Sequence, residues 1–283
     1  MKPAPFSYLR ADSVDEACAA LGRYGEDARI LAGGQSLGAM LNMRLVTPAV
    51  VVDINRVSDL ARIEARDGVV TTGATVRQAD ALHDRVLTKH VPLLAAALPH
   101  VGHFQTRSRG TLGGSVAHAD PSAEIPLVLA VLDGEIDLRS ARRRRRVRAR
   151  DFFRSALVTD RAPDEMVVAL HWPASTVSGR HGFREFAMRT GDYALVAAAC
   201  DVRLSAAGTI ERLSLGFAGC SARPQIFPAG AYEGRQVSRT LPAEIAKEAA
   251  TLIECKSDLH APAQYRRQLV RTLAESLLEQ ALS

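Results

Sequence analysis

The chain has 283 residues, 47% hydrophobic and 24% charged, proportions that exclude a disordered or fibrous protein and leave ample apolar material for a core. The formal charge is +5, but the segment 139–150 (RSARRRRRVRAR) holds eight arginines and no acid, and without them the remainder stands at −3, eight lower. The basic character is therefore local, and with no interleaved aromatics it does not describe a nucleic-acid-binding face.

Length alone allows one large domain or two smaller ones. Ser13 is placed to cap a helix carrying Val14, Ala17, Cys18 and Leu21 on one stripe, ended by Gly22 and Gly25. A strand over Ala28–Ala32 runs into Gly33-Gly34, a helix-like stretch spans Ser36–Leu45, and Val50–Ile54 reads as a buried strand after Pro48. This is a βαβ-type unit with glycines at its first turn. Further on, Val69–Thr72 predicts a strand, Val76–Leu82 and Leu93–Val101 predict helices, and residues 110–115 predict a glycine-rich loop. An apolar helix over Ile125–Leu132 and a strand over Glu135–Leu138 follow, then the arginine run, read as a hairpin turn or solvated loop with an acidic partner as the alternative. Met166–Leu170 predicts another strand. Composition shifts near Thr176-Val177-Ser178-Gly179. Beyond it lie three strands, Gly182–Met188, Leu195–Leu204 and Ile210–Phe217, with Gly208 turning the last two, and then helices from Pro242 onward. The pattern predicts two domains, 1–177 (in parts of about 1–57 and 58–177) and 178–283, the second an antiparallel sheet backed by helices.

The four cysteines, Cys18, Cys200, Cys220 and Cys255, show no metal-ligand spacing and cannot hold an iron–sulfur cluster. Scattered thiols suit a reducing compartment. The start, MKPAPFSYLR, has no signal-peptide core, and no apolar run reaches the roughly 20 residues of a membrane span. The expectation is a cytoplasmic protein. His100 and His103 have no third ligand nearby and read as ordinary histidines.

Two segments carry chemistry: Leu31-Ala32-Gly33-Gly34-Gln35-Ser36-Leu37, and Arg109-Gly110-Thr111-Leu112-Gly113-Gly114-Ser115 leading to His118, Asp120 and Pro121. Taken alone, each Gly-Gly reads first as a tight turn. Together they suggest two places where glycine lets backbone amides converge on an anion, the grip a pyrophosphate needs. Neither is GxGxxG or a Walker loop, which excludes an ordinary dinucleotide or nucleotide-hydrolase motif. His118 and Asp120, between a glycine loop and a proline, read as groups whose hydrogen bonds shape the loop.

AGGQSLGAMLNMRL (32–45) and RGTLGGSVAHADPSAEIP (109–126) resemble the two flavin-binding signatures of the molybdenum hydroxylase family, in its separate FAD-binding medium subunit of the carbon monoxide, nicotine and xanthine dehydrogenase type. The opening APFSYLRADSVDEA, the segment from Phe183 to Ala194 and SDLHAPAQYRRQL (257–269) fit the same pattern, so the resemblance spans the chain. It implies an α+β fold: a two-part FAD-binding domain of the vanillyl-alcohol oxidase (PCMH) type, then a sheet-and-helix C-terminal domain. It implies an FAD site in which Arg29, Ile30 and Leu31 lead into Ala32, Gly33, Gly34, Gln35 and Ser36 on the pyrophosphate. Thr111, Gly113, Gly114 and Ser115 stand opposite, Glu124 serves adenosine-side groups, and Tyr193 lies near the isoalloxazine. Ser115 stands where relatives often have Asn, Glu124 where Asp is common, and Glu185 near a frequent Lys. The resemblance further implies an electron-transfer subunit without catalytic residues of its own. Its partners are a small subunit with two [2Fe–2S] clusters and a large subunit with the molybdopterin cofactor, in a dimer of heterotrimers. The large subunit hydroxylates the substrate, of which an aromatic N-heterocycle is the leading class. A stand-alone FAD-dependent oxidoreductase of the same fold is the alternative.

Overall fold

The computed structural model describes residues 2–175 and 179–283. The expected domain boundary at 177/178 and the composition shift over Thr176–Ser178 lie outside the described residues.

The N-terminal unit is a three-stranded parallel sheet with Val50–Asp53 in the centre, flanked by Ser7–Arg10 and Ala28–Leu31. Three consecutive valines suit a strand buried on both faces. The helix Val14–Tyr24 covers one face, its Ser13 cap accepting from Glu16 N–H, and buries Ala17, Cys18, Ala20 and Leu21. The sheet is parallel, so the C-terminal ends of all three strands open on one edge. The first glycine motif emerges there.

A five-stranded antiparallel sheet follows, ordered Ile63–Arg66, Val69–Gly73, Met166–Pro173, Glu135–Arg139, Arg144–Arg148. Short helices pack against it. One of them, Glu124–Val131, is buried along its whole length. Its far side meets the third sheet: Ser214 Oγ donates to Val131 O at 2.6 Å, and a side chain at Gly216 would collide with Val131 and Leu127. That sheet orders Gly179–Phe186, Val196–Leu204, Ile210–Ala218, Gln225–Ile226, all antiparallel. The helices Leu241–Leu252 and Ala263–Leu282 back it, with Ile245, Ala246, Ala249, Val270, Leu277 and Leu278 in the shared core.

Two sequence readings are corrected. The segment 110–115 is not a loop: Leu112–His118 is helical, because Thr111 caps it and Gly113 and Gly114 keep negative φ inside it. The arginine run forms the expected hairpin, but only Arg142 and Arg143 sit in its turn, Ser140–Arg143; Arg144–Arg148, read as part of the turn or of a solvated loop, is an edge strand paired with Glu135–Arg139. Alternation splits the arginines between faces. Arg144 and Arg146 reach buried Asp137, and Arg145 reaches Asp160 and Glu165, the latter 0% exposed.

Candidate functional site

The strand Ala28–Leu31 delivers the first motif at its C-terminal end, where Ile54 N–H donates to Leu31 O at 3.1 Å. Arg29 is tied back locally, its guanidinium donating to Glu26 O (2.7 Å) and Ala28 O (2.8 Å). Ile30 and Ala32 pack on the N-terminal core. The chain then turns at Gly34, whose φ of +73° a residue with Cβ resists. Ser36 precedes the short helix Leu37–Asn42 without capping it by its side chain. Among the described residues, the N–H groups of Gly33, Gly34, Gln35 and Ser36 find no hydrogen-bond partner. Gly33, Gly34 and Ser36 are half-buried. Four successive free amides around a left-handed turn have the make-up of an anion-binding backbone nest, and backbone amides left unpaired this way call for a ligand or water.

The second motif behaves differently. Leu112 N–H donates to Val76 O (3.0 Å), Gly113 N–H to Ala74 O (3.1 Å), Gly114 N–H to Thr111 Oγ1 (3.0 Å) and Ser115 N–H to Thr111 O (3.1 Å). These amides hold the helix in place, so the expected second amide cradle is replaced by a capped helix start. Gly113 is buried, and a side chain there would stand 2.6 Å from Ala74. What the motif offers outward is the Ser115 hydroxyl, which has no partner among the described residues.

The fold brings the two motifs together. A side chain at Gly33 would overlap the Arg109 carbonyl and come within 2.9 Å of Gly110 Cα. Two residues that the sequence reading missed join them. Arg77 donates to Arg109 O and, at 2.6 Å, to Asn55 Oδ1, while Asn55 Nδ2 reaches Asp53 Oδ1 (2.6 Å) and Leu31 O (3.5 Å). Tyr8 OH donates to Asp53 Oδ2 at 2.6 Å, tying in the first strand. Nothing in the pattern of the sequence marks this hub, since its members are 8, 53, 55 and 77.

Beyond the helix Leu112–His118, Ala119 adopts φ +53° and Asp120 Oδ1 accepts from Ser122 N–H at 2.8 Å, so Asp120 shapes the loop as expected. Burial lowers the His118 pKa. Glu124 opens its buried helix at 8% exposure. Burial, then its own backbone amide opposing, then the charge of Glu185, leave its carboxyl pushed up to about 7. Glu185 is buried in turn, with Oε1 3.4 Å from His100 Nδ1 and Oε2 without a partner among the described residues. Hydrogen bonding to Glu185 raises the His100 imidazole against the cost of burial. Tyr193 is 70% exposed and follows Gly191, where a Cβ would strike the His103 ring. Its phenol is raised, first by desolvation and then by Asp120 and Glu124. Among the described residues, no hydrogen bond joins this acidic group to Gly33–Ser36, and no group of three or more His, Cys, Asp and Glu forms a metal site.

Residues 4–175 match the family model described as "FAD binding domain in molybdopterin dehydrogenase", and residues 181–281 match "CO dehydrogenase flavoprotein C-terminal domain". The chain belongs to the FAD-binding medium subunits of the molybdenum hydroxylases. It is 37% identical to the nicotine 6-hydroxylase medium subunit of Paenarthrobacter nicotinovorans, over 99% of each chain. Among solved structures, quinoline 2-oxidoreductase from Pseudomonas putida 86 superposes with a TM-score of 0.94 at 34% identity, covering 100% of this chain and 98% of that one. Carbon monoxide dehydrogenase from Hydrogenophaga pseudoflava superposes with a TM-score of 0.96 at 29% identity, covering 99% and 98%.

This medium subunit is therefore an oxidoreductase component that binds FAD, in complexes whose molybdopterin and iron–sulfur centres sit on other subunits. The residues present fit that cofactor. The unpaired amides of Gly33–Ser36 suit one end of a pyrophosphate, and the glycine positions are those where a Cβ would fill the turn or strike Arg109. When bound, FAD supplies the two-electron redox centre that accepts and releases electrons singly.

Proposed function

We propose that the FAD pyrophosphate is held by the amides of Gly33, Gly34, Gln35 and Ser36, with Arg29, Ile30, Leu31 and Ala32 setting their position. The hydroxyl of Ser115 serves the opposite side, Thr111 caps and Gly113 and Gly114 shape that helix start, Glu124 contributes to the adenosine side, and Tyr193 lies beside the isoalloxazine. The observation that carries this reading is the run of four unpartnered amides around Gly34 (φ +73°). It is supported by the tether Arg77–Asn55 that keeps both motifs against each other. The division into 1–177 and 178–283 is part of the same proposal, supported by the two family matches.

The chain takes electrons from the [2Fe–2S] clusters of a small subunit and passes them to an external acceptor. A large molybdopterin subunit hydroxylates the substrate, in a cytoplasmic dimer of heterotrimers. Among the described residues, no helix is long and apolar enough to cross a membrane. The likeness to medium subunits named for nicotine and quinoline oxidation supports an aromatic N-heterocycle as substrate. The test is anaerobic. The isolated subunit, loaded with FAD, keeps its flavin absorbance when N-heterocycles are added. With its two partner subunits it bleaches on adding an N-heterocycle and not on adding a simple aldehyde or carbon monoxide. Bleaching of the isolated subunit overturns the division of labour. Bleaching of the complex by an aldehyde alone overturns the substrate class. Flavin released by acid that chromatographs as FMN overturns the pyrophosphate assignment.

A further inference from the structure

Away from the flavin site, two cysteines with no metal spacing in the sequence are brought into contact. Cys220 follows the strand Ile210–Ala218 and Cys255 follows the helix Leu241–Leu252. Each thiol is the foremost influence on the other's ionisation, as two sulfurs side by side would be. The two backbones are clamped on both sides of that contact. Lys256 N–H donates to Cys220 O at 2.8 Å. The Gln225 side chain donates to Glu254 O (2.9 Å), accepts from Glu254 N–H (3.1 Å) and sends the same Nε2 to Cys220 Sγ at 3.8 Å.

We propose that Cys255 and Cys220 form a peroxide-oxidisable dithiol, with Cys255 as the attacking thiolate and Cys220 as the resolving thiol. Access divides the roles: Cys255 is half-buried, whereas Cys220 has no exposed surface. Electrostatics agrees with the division. The neighbouring Cys220 thiol and then the Arg267 and Arg266 charges bring Cys255 down to about 7 against its partial burial, while the same neighbour and burial push Cys220 up. The other two cysteines are fully buried, and burial pushes Cys200 up to about 12. Selectivity between the pairs thus has a physical basis.

The oxidant is hydrogen peroxide. The Cys255 thiolate attacks one peroxide oxygen, the O–O bond breaks, and hydroxide leaves, giving a sulfenic acid on Cys255. The Cys220 sulfur then attacks that sulfur, the S–S bond forms, and the sulfenic oxygen leaves as water with the Cys220 proton. The hydroxide takes up the proton that Cys255 had released. In sum two thiols and one peroxide become one disulfide and two waters.

The position gives the bond a structural consequence. Gly219, the residue before Cys220, donates to Pro121 O at 2.8 Å, between the second glycine motif and Glu124. Its carbonyl accepts from Arg266, which is also paired with Asp258 at 2.7 Å. A Cys220–Cys255 disulfide therefore fixes the segment against which the FAD-binding domain rests. The proposal uses only the thiols of this chain, so it stands or falls independently of the FAD assignment.

The experiment treats the purified protein, with its FAD and any co-purifying subunits, with a small excess of hydrogen peroxide. Free thiols of this chain are counted under denaturing conditions, and non-reduced peptides are mapped by mass. The thiol count should drop from four to two, with the peptides of Cys220 and Cys255 linked and dithiothreitol restoring all four. Cys255→Ser should lose no thiol under the same dose, while Cys18→Ser should still lose two. Oxidation of Cys255 to sulfinic acid without a link overturns the proposal. So does loss of Cys18 or Cys200 at a comparable rate, or full retention of thiols in the unmodified protein. That last arm needs no variant to fold.

Discussion

Two glycines that look alike in the sequence do different work. Gly34 carries a φ of +73° and a free amide, while Gly113 carries a bonded amide and lies against Ala74. Gly34→Val places a β-branched side chain in a left-handed conformation and displaces the neighbouring amides. Each amide bond to an anion is worth about 1.5–3 kcal/mol, so losing two weakens FAD by about 100-fold or more. The expected variant is folded by circular dichroism and colourless after gel filtration. Gly113→Ala should behave in the opposite sense. The added methyl meets Ala74 at 2.6 Å, and forcing atoms into a filled space costs about 1–3 kcal/mol. Its urea midpoint should fall, with FAD retained in whatever remains folded. Equal loss of flavin in both variants, at unchanged stability, would show that Gly113 faces the cofactor after all.

The arginine strand shows how one element can be misjudged from its composition. Eight arginines in twelve residues read as a solvated run, yet Arg145 reaches Glu165, which is 0% exposed, and Arg144 and Arg146 share buried Asp137 with His171 at 3.1 Å. Removing one partner of a buried pair strands the other charge, at about 3–5 kcal/mol. Arg145 is partly exposed, so solvent screening puts the expected loss at the lower end for Arg145→Ala. Arg142→Ser, at the exposed turn, should change the urea midpoint little. Both variants should keep FAD, because the strand stands at the far edge of its sheet. Periodicity and capping made most elements legible beforehand: the Ser13-capped helix, the valine strand, the apolar helix after Glu124 and the three long C-terminal strands. What the sequence hid depended on long-range partners. The acids that neutralise the arginines sit at 135, 137, 160 and 165, and the amides that consume the second glycine motif bond to carbonyls at 74 and 76. The first motif was legible because its turn and its free amides are local. Arg77 and Asn55 were not, because a hub assembled from separate strands leaves no spacing signature.

At the scale of the whole molecule, ionisable groups of opposite shift limit stability on both sides of a mildly acidic optimum. Burial pushes Asp137 and Glu165 up, but His171, Arg146 and Arg144 on the former and Arg145 with the Ala162 amide on the latter outweigh it, so both carboxyls stay below their usual range. Groups lowered in the folded state stabilise above the ordinary carboxylate pKa, and that contribution is lost as pH falls through their folded values. Glu124 has the opposite sign. Its folded value of about 7 lies above the ordinary 4.5, so the folded protein binds the extra proton between those limits. The corresponding stability is complete below about pH 4.5 and is lost as pH rises to 7, on the order of 3 kcal/mol. His100, raised by Glu185, adds in the same direction as pH climbs through its folded value. The flavin-free protein should therefore be most stable near pH 5, with urea midpoints falling both below about pH 4 and from pH 5 to 7. Glu124→Gln keeps the shape without the ionisation. It should unfold at nearly the same urea concentration as the parent at pH 5 and at a higher one at pH 7, flattening the neutral limb while leaving the acid limb unchanged. Parallel curves for parent and variant from pH 5 to 7 would mean that Glu124 is already ionised in the folded protein, with a buried counter-charge in place of the shared environment of Glu185 and His100.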